Sequence, residues 1–413
     1  MKKWRITLSL FLLYFLFAIL LNSVGTVILQ VIHSFNVSKP NASSLEAFKD
    51  LSIAAASFLA AAFLPRIGYK KSMLIATALM AIACLCMPLL PAFLTTKLFF
   101  MCCGIGFALV KVSVYSSIGL ITDNAKQHAQ YMNMLEGIFM VGVLCGYWLF
   151  SVFIDSADMQ SHQWLQVYWL LAAGCTLVFL LLASSELDES EARLPTQPDN
   201  GFVFMFKLLG KPIVTVFLIS AFLSVLVEQG ITSWLPTFNN EIMKLPLSLS
   251  VQITSILAAS TAIGRMGFGL LLKKINWYTL LALCLISMGL LVLLTLPLTR
   301  GIDASAVTGW GNAPLAAFIF PLIGLFMAPI YPVINSLILS ALPKYQHASM
   351  TGLIVIFSAL GGTTGSLITG FVFARFSGQT AFYLTLIPLA IMLPALFKFK
   401  RELSFRGDMS AAL

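Results

Sequence analysis

Long apolar runs, each near the ~20 residues that carry a helix across a hydrocarbon layer, follow one another through almost the whole chain and dictate its solvent. Twelve are read, at 7–31, 45–65, 72–92, 97–121, 131–154, 164–185, 212–238, 248–271, 277–298, 314–341, 347–374 and 379–399. Their polarity is continuous rather than alternating, which suits spanning helices and not the strands of a barrel. The make-up agrees: 59% of residues are hydrophobic and 10% charged, where a soluble domain is about 25% charged. The expected fold class is an all-α integral membrane protein with 12 transmembrane helices. Lys2, Lys3 and Arg5 precede the first run, but it is longer than a secretory h-region and lacks a small-residue cleavage site, so it reads as a retained helix.

Charge sets the expected orientation. With the N-terminus in the cytoplasm, 18 of the 25 basic residues fall in cytoplasmic loops and tails, and six (Lys39, Lys49, Lys97, Lys244, Arg300, Arg375) on the other side. That bias is a positive-inside signal, so the net charge of +9 marks membrane topology, not nucleic-acid binding. Both termini are expected in the cytoplasm, with the chain in the inner (cytoplasmic) membrane as a monomer.

One residue breaks the apolar pattern more than any other. Lys111 sits mid-way along the fourth run, where a charge costs upwards of about 2.5–3.5 kcal/mol. Its functional reading is an anion-binding or counter-ion residue; the alternative is a fixed ion pair with Glu136 or Glu228. Glu228, preceded by Val225, Leu226 and Val227, is the better proton carrier, and Glu136, about 8 Å inside its helix end, is the second candidate. Asn22, Thr26 and Gln30, four apart in the first run, form a stripe expected to line a cavity. Ser113, Tyr115, Gln229, Trp234, Tyr331 and Asn335 complete the expected substrate set. Pro329 and Pro332 promise a kinked helix around Tyr331, and Ser233–Pro236 a break near Trp234. Broken helices at mid-membrane are where transporters build sites.

A polar stretch from Glu186 through Asp199, rich in charge and Pro, divides the chain. The expected domains are an N-terminal six-helix half (1–185), a cytoplasmic linker (186–211), a C-terminal six-helix half (212–400) and a cytoplasmic tail (401–413). Arg66, Gly68 and Lys70, in the loop after the second run, have a counterpart in Gly264, Arg265, Met266 and Gly267, a basic Gly-containing stretch at the same place in its half, followed by Lys273 and Lys274. Two six-helix halves, a linker and that basic Gly-containing loop resemble the major facilitator superfamily. Its fucose–galactose–proton symporter branch is the nearest likeness, through Leu21–Ser23, Asn133–Glu136, Glu228–Pro236 and Ala359–Gly362. The branch's acidic residues of helices 1 and 4 are not retained, Ser23 and Lys111 standing there, and Glu136 replaces a Gln. The resemblance implies the major facilitator fold, with Gly142, Gly146, Gly361, Gly362 and Gly365 at moving seams between the halves, and Arg66, Gly68, Lys70 and Arg265 in gating loops.

The seven cysteines lie within the runs and none pairs with His at metal spacing, so neither a disulfide nor a metal site is expected. With no nucleotide-binding loop, energy must come from a gradient. The chain is therefore read as no enzyme, without cofactor: a transporter whose partners are a small-molecule solute, protons and the lipid bilayer. Lys111 moves the expected solute from a neutral sugar toward an organic anion or acidic sugar. Proton-coupled import is the first reading, an exporter running by antiport the alternative. A sensor on a transporter scaffold is disfavoured by the short linker and tail.

Overall fold

The structure is a computed structural model describing residues 3–122, 125–189, 207–272, 274–299, 301–302, 307, 309–342 and 346–411. Most of the expected linker, 190–206, lies outside the described residues. The chain forms two compact units, Met1–Gln197 and Pro198–Leu413. The first holds α1 (Lys3–Asn22), α2 (Val24–Ser34), α3 (Lys39–Ala42), α4 (Ser44–Ile67), α5 (Tyr69–Leu89), α6 (Phe93–Ile121), α7 (Ala125–Val152) and α8 (Val167–Ser184). The second holds α9 (Pro212–Thr232), α10 (Leu235–Glu241), α11 (Leu247–Leu271), α12 (Trp277–Thr295), α13 (Leu315–Ile319), α14 (Ile323–Met327), α15 (Ile330–Ser340), α16 (His347–Arg375), α17 (Gly378–Tyr383) and α18 (Leu386–Ala411). No strand occurs among the described residues. Among the described residues, eleven helical stretches are long and apolar enough to span a membrane, and the 24-residue α4 fills the place of the second run.

Departures from uninterrupted spans have local causes. The first run is two helices, interrupted at Ser23, where Ser23 Oγ donates to Leu20 O at 2.8 Å and Asn22 Nδ2 to Ala18 O at 2.8 Å. Short polar side chains here bond to carbonyls of the preceding turn, a pattern that bends helices. The seventh run stops at Thr232 and restarts at Leu235, with Pro236 in the first turn of α10, where its missing N–H costs nothing. The tenth run is broken most, into α13, a 3-10 turn at Phe320–Leu322, α14 and α15, with Pro321 and Pro329 at the joints.

The eighth run is unbroken: α11 spans Leu247–Leu271 and carries Gly264–Gly267 within it, the apolar residues after Gly267 extending the helix. The last helix, α18, continues past the apolar run to Ala411, carried by the helix-favouring Lys, Arg, Glu and Leu that follow it.

Glycines set the packing within each unit. A Cβ on Gly142 of α7 would stand 2.6 Å from Phe15 O of α1, and one on Gly146 would touch Ile19. In the second unit a Cβ on Gly361 of α16 would stand 2.5 Å from Phe222 O of α9, and one on Gly365 would strike Leu226 O. Both pairs are small-xxx-small seams that let backbones meet. Gly104 of α6 packs the same way on Lys49 O of α4, and Gly324 of α14 on Leu257 O of α11. Equivalent helices thus meet on equivalent glycines in the two units, a repeat far clearer in packing than in sequence. These glycines were expected at seams between the halves; the contacts they make lie inside a unit.

Candidate functional site

Lys111 lies on the face of α6 turned to α1 and α7. One turn either side of it, Phe107 and Tyr115 each bring their ring centroids to 6.2 Å from Tyr14 of α1. Phe139 of α7 closes the group, 5.0 Å from Tyr14 and 6.0 Å from Phe107. The Lys111 Nζ stands 5.8 Å over the Phe107 ring and 6.0 Å over that of Tyr115. At that range a cation–π contact is worth about 0.5–1 kcal/mol. It steers the ammonium without enclosing it, and Lys111 remains exposed. Glu136 of α7 joins through hydroxyls: Tyr115 donates to its Oε1, and the Tyr14 hydroxyl is 3.4 Å from the same oxygen and 3.3 Å from that of Tyr115. A cation, a carboxylate and two phenols therefore occupy one aromatic-lined face built by α1, α6 and α7.

The other expected residues of this unit are placed differently. Asn22 is half-buried, while Thr26 and Gln30, beyond the break at Ser23, are 1% and 2% exposed. The single stripe is thereby divided. Gln30 Nε2 and Ser113 Oγ are buried atoms with no hydrogen-bond partner.

In the second unit, Glu228 and Gln229 lie half-buried near the end of α9. The Tyr331 hydroxyl of α15 is 2.8 Å from Ser358 Oγ of α16. Asn335, one turn on, is within bonding reach of that hydroxyl, and Glu228 is close enough to act on it electrostatically. Asn335 Oδ1 is a buried acceptor without a donor. This second cluster is again a carboxylate beside a phenol. Trp234 does not join it: fully buried, its indole N–H donates to Ser366 O at 3.0 Å and Ser366 Oγ at 3.1 Å, and its ring packs 5.6 Å from Phe373. The indole's donor is spent on packing α16.

Of the expected gating residues, Gly68 has φ of +96°, which disfavours any side chain. Lys70 holds this turn to the end of α8: its backbone N–H donates to Glu189 Oε1 at 2.6 Å, and its Nζ to Ala183 O at 3.0 Å. The loop carries no acid of its own, and Glu189, from the start of the linker, supplies one. The Arg66 side chain lies outside the described residues. Arg265 is exposed on α11, and Gly362 is buried in α16.

Sequence reading missed two features. Tyr14 passes for one more aromatic in an apolar run, although a buried phenol needs a partner. Lys49, counted with the outer loops, is 3% exposed in the second turn of α4, paired with Glu46 and 3.5 Å from Asp50 Oδ1. Residues 46, 49 and 50 share one helix face inside a span already drawn at 45–65, and that i, i+3, i+4 spacing was the available signal.

The model of the Major Facilitator Superfamily matches residues 10–362. A curated relative, the protein TsgA homolog of Buchnera aphidicola subsp. Acyrthosiphon pisum, is 24% identical over 234 residues, 57% of this chain and 54% of the relative, so the match spans about half of that relative's length. Among solved structures, a mutant of the nucleoside transporter NupG superposes with a TM-score of 0.75 at 14% identity, covering 95% of this chain and 99% of that one. The D-xylose-proton symporter gives 0.72 at 14% identity, covering 97% and 98%. These structural likenesses establish the fold. The chain belongs to the Major Facilitator Superfamily, and is a multi-pass membrane transporter rather than an enzyme.

Proposed function

We propose that this superfamily member is a proton-coupled secondary transporter that imports a small acidic solute, an organic anion or acidic sugar, across the inner membrane by alternating access. Lys111 is the observation that carries the reading. A lysine at mid-helix, held over two aromatic rings and left exposed, offers an anion a charged contact beside the hydroxyl-bonded Glu136. The aromatic group around Tyr14 suits the apolar face of a sugar ring. Glu228, beside Tyr331, is assigned the coupling proton, with Glu136 as the second group. The D-xylose-proton symporter among the structural likenesses agrees with coupled uptake of a polar solute. The orientation has both termini in the cytoplasm, and the working unit is a monomer with two six-helix halves joined by the linker.

Counterflow in proteoliposomes, with a panel of labelled sugars and organic acids, tests the reading. Exchange of an acidic solute supports it. Exchange of neutral sugars alone, unchanged by Lys111→Gln, removes the anion assignment.

A further inference from the structure

The buried charges of α4 play no part in the scheme above, yet among the described residues they are the most thoroughly enclosed charges. Glu46 is 0%, Lys49 3% and Asp50 6% exposed. Asp50 lies about 9 Å along the helix from Ser44, at 1.5 Å per residue. The α6 backbone closes over this turn, since a Cβ on Gly104 would strike Lys49 O and stand 2.9 Å from Ser52 Cβ. Two carboxylates share one ammonium. Lys49 Nζ is in direct contact with Glu46 Oε1, and Asp50 Oδ1 receives it only from 3.5 Å. Counting these three side chains, the cluster carries −1 when both acids are ionised and is neutral when one holds a proton. A buried charge without full compensation costs several kcal/mol, so the loosely held acid is the one whose ionisation the site supports least. The neighbouring elements bring Cys103 from α6 and Tyr147 from α7 into the field of the cluster. The helices leading into α4 carry His33 and Lys39 as their titratable groups.

From this geometry we propose that Asp50 is a proton-binding site, in which a proton on its carboxyl leaves Lys49 wholly to Glu46 and deprotonation makes the two acids share it. A proton fits better than a metal ion: it needs a single oxygen, whereas a metal held by the same carboxylates would face the Lys49 ammonium. No group of His, Cys, Asp and Glu among the described residues has the arrangement of a metal site. The site is separate from Lys111, Glu136 and Glu228 and does not depend on which solute is moved.

The test is infrared difference spectroscopy of the full-length protein in lipid vesicles, between about pH 8 and pH 6, where ordinary carboxylates stay ionised. Asp50 is the only aspartate inside one of the apolar spans, so labelling the aspartate carboxyl carbons with 13C singles it out without mutation. The expected result is a carboxylic-acid C=O band at the lower pH that shifts with the aspartate label. It should vanish in Asp50→Asn, survive in Glu228→Gln, and lose its sensitivity to the aspartate label in Asp50→Glu. Absence of any label-sensitive band in the wild type, or its persistence in Asp50→Asn, overturns the proposal. The wild-type measurement decides even if the variants fail to fold, and it is independent of any transport assay.

Discussion

At the scale of single residues, the chemistry collects where polar side chains interrupt apolar helices. Lys111 gains little from its rings, 5.8 and 6.0 Å away, and the proposed function gives its charge to an acidic solute. Lys111→Gln should weaken an anionic solute by roughly 30- to several thousand-fold, since removing one partner of a buried charge pair costs about 2–5 kcal/mol. Lys111→Arg, which keeps the charge in another geometry, should retain part of that affinity; equilibrium binding in detergent measures both. Tyr115→Phe removes the hydroxyl that donates to Glu136. It should cost about 1–3 kcal/mol of stability, seen as a lower melting temperature, while Ser184→Ala, at an exposed hydroxyl, changes little. Lys111, Glu136 and Glu228 were legible in the sequence because a charge stands out against apolar neighbours. Tyr14 and Lys49 were not: a phenol looks apolar until its partner is known, and a lysine near a helix end looks like a loop residue.

At the scale of elements, the breaks in the seventh and tenth runs were legible because Pro fixes φ and removes a donor. The break at Ser23 was not, because it depends on which carbonyls Asn22 and Ser23 choose. The eighth run was legible through Gly264–Gly267 to residue 271; what the sequence did not show is that Gly264 lets the backbone meet Leu325 O. The packing glycines give a direct prediction. Gly142→Ala and Gly361→Ala should each destabilise by about 1–3 kcal/mol through overpacking, because their Cβ atoms would stand 2.6 Å and 2.5 Å from a carbonyl oxygen. Gly137→Ala on the same α7, where nothing lies within 4 Å, should be neutral or stabilising by up to about 1 kcal/mol. Thermal unfolding in one detergent separates the two groups; equal effects at Gly137 and Gly142 would contradict the seam.

At the scale of the whole molecule, the fold was readable from run length and loop charge, and the family model and the structural likenesses agree with it. The solute was not readable, since the side chains of α1, α6 and α7 that meet around Tyr14, and those of α9, α15 and α16 that meet around Tyr331, come together only in the fold. Coupling belongs to this scale as well. Glu228→Gln should abolish accumulation driven by a pH gradient while leaving exchange partly intact, because exchange needs only alternating access. A variant that still concentrates solute would move the coupling role to Glu136. The central claim, recognition of an acidic solute by Lys111, meets its most direct test in counterflow with wild-type and Lys111→Gln proteoliposomes side by side. The account predicts exchange of an acidic solute by the wild type, lost in Lys111→Gln even though that protein is folded. Exchange in the variant within about threefold of wild type, well short of the loss a broken buried charge pair brings, would contradict it.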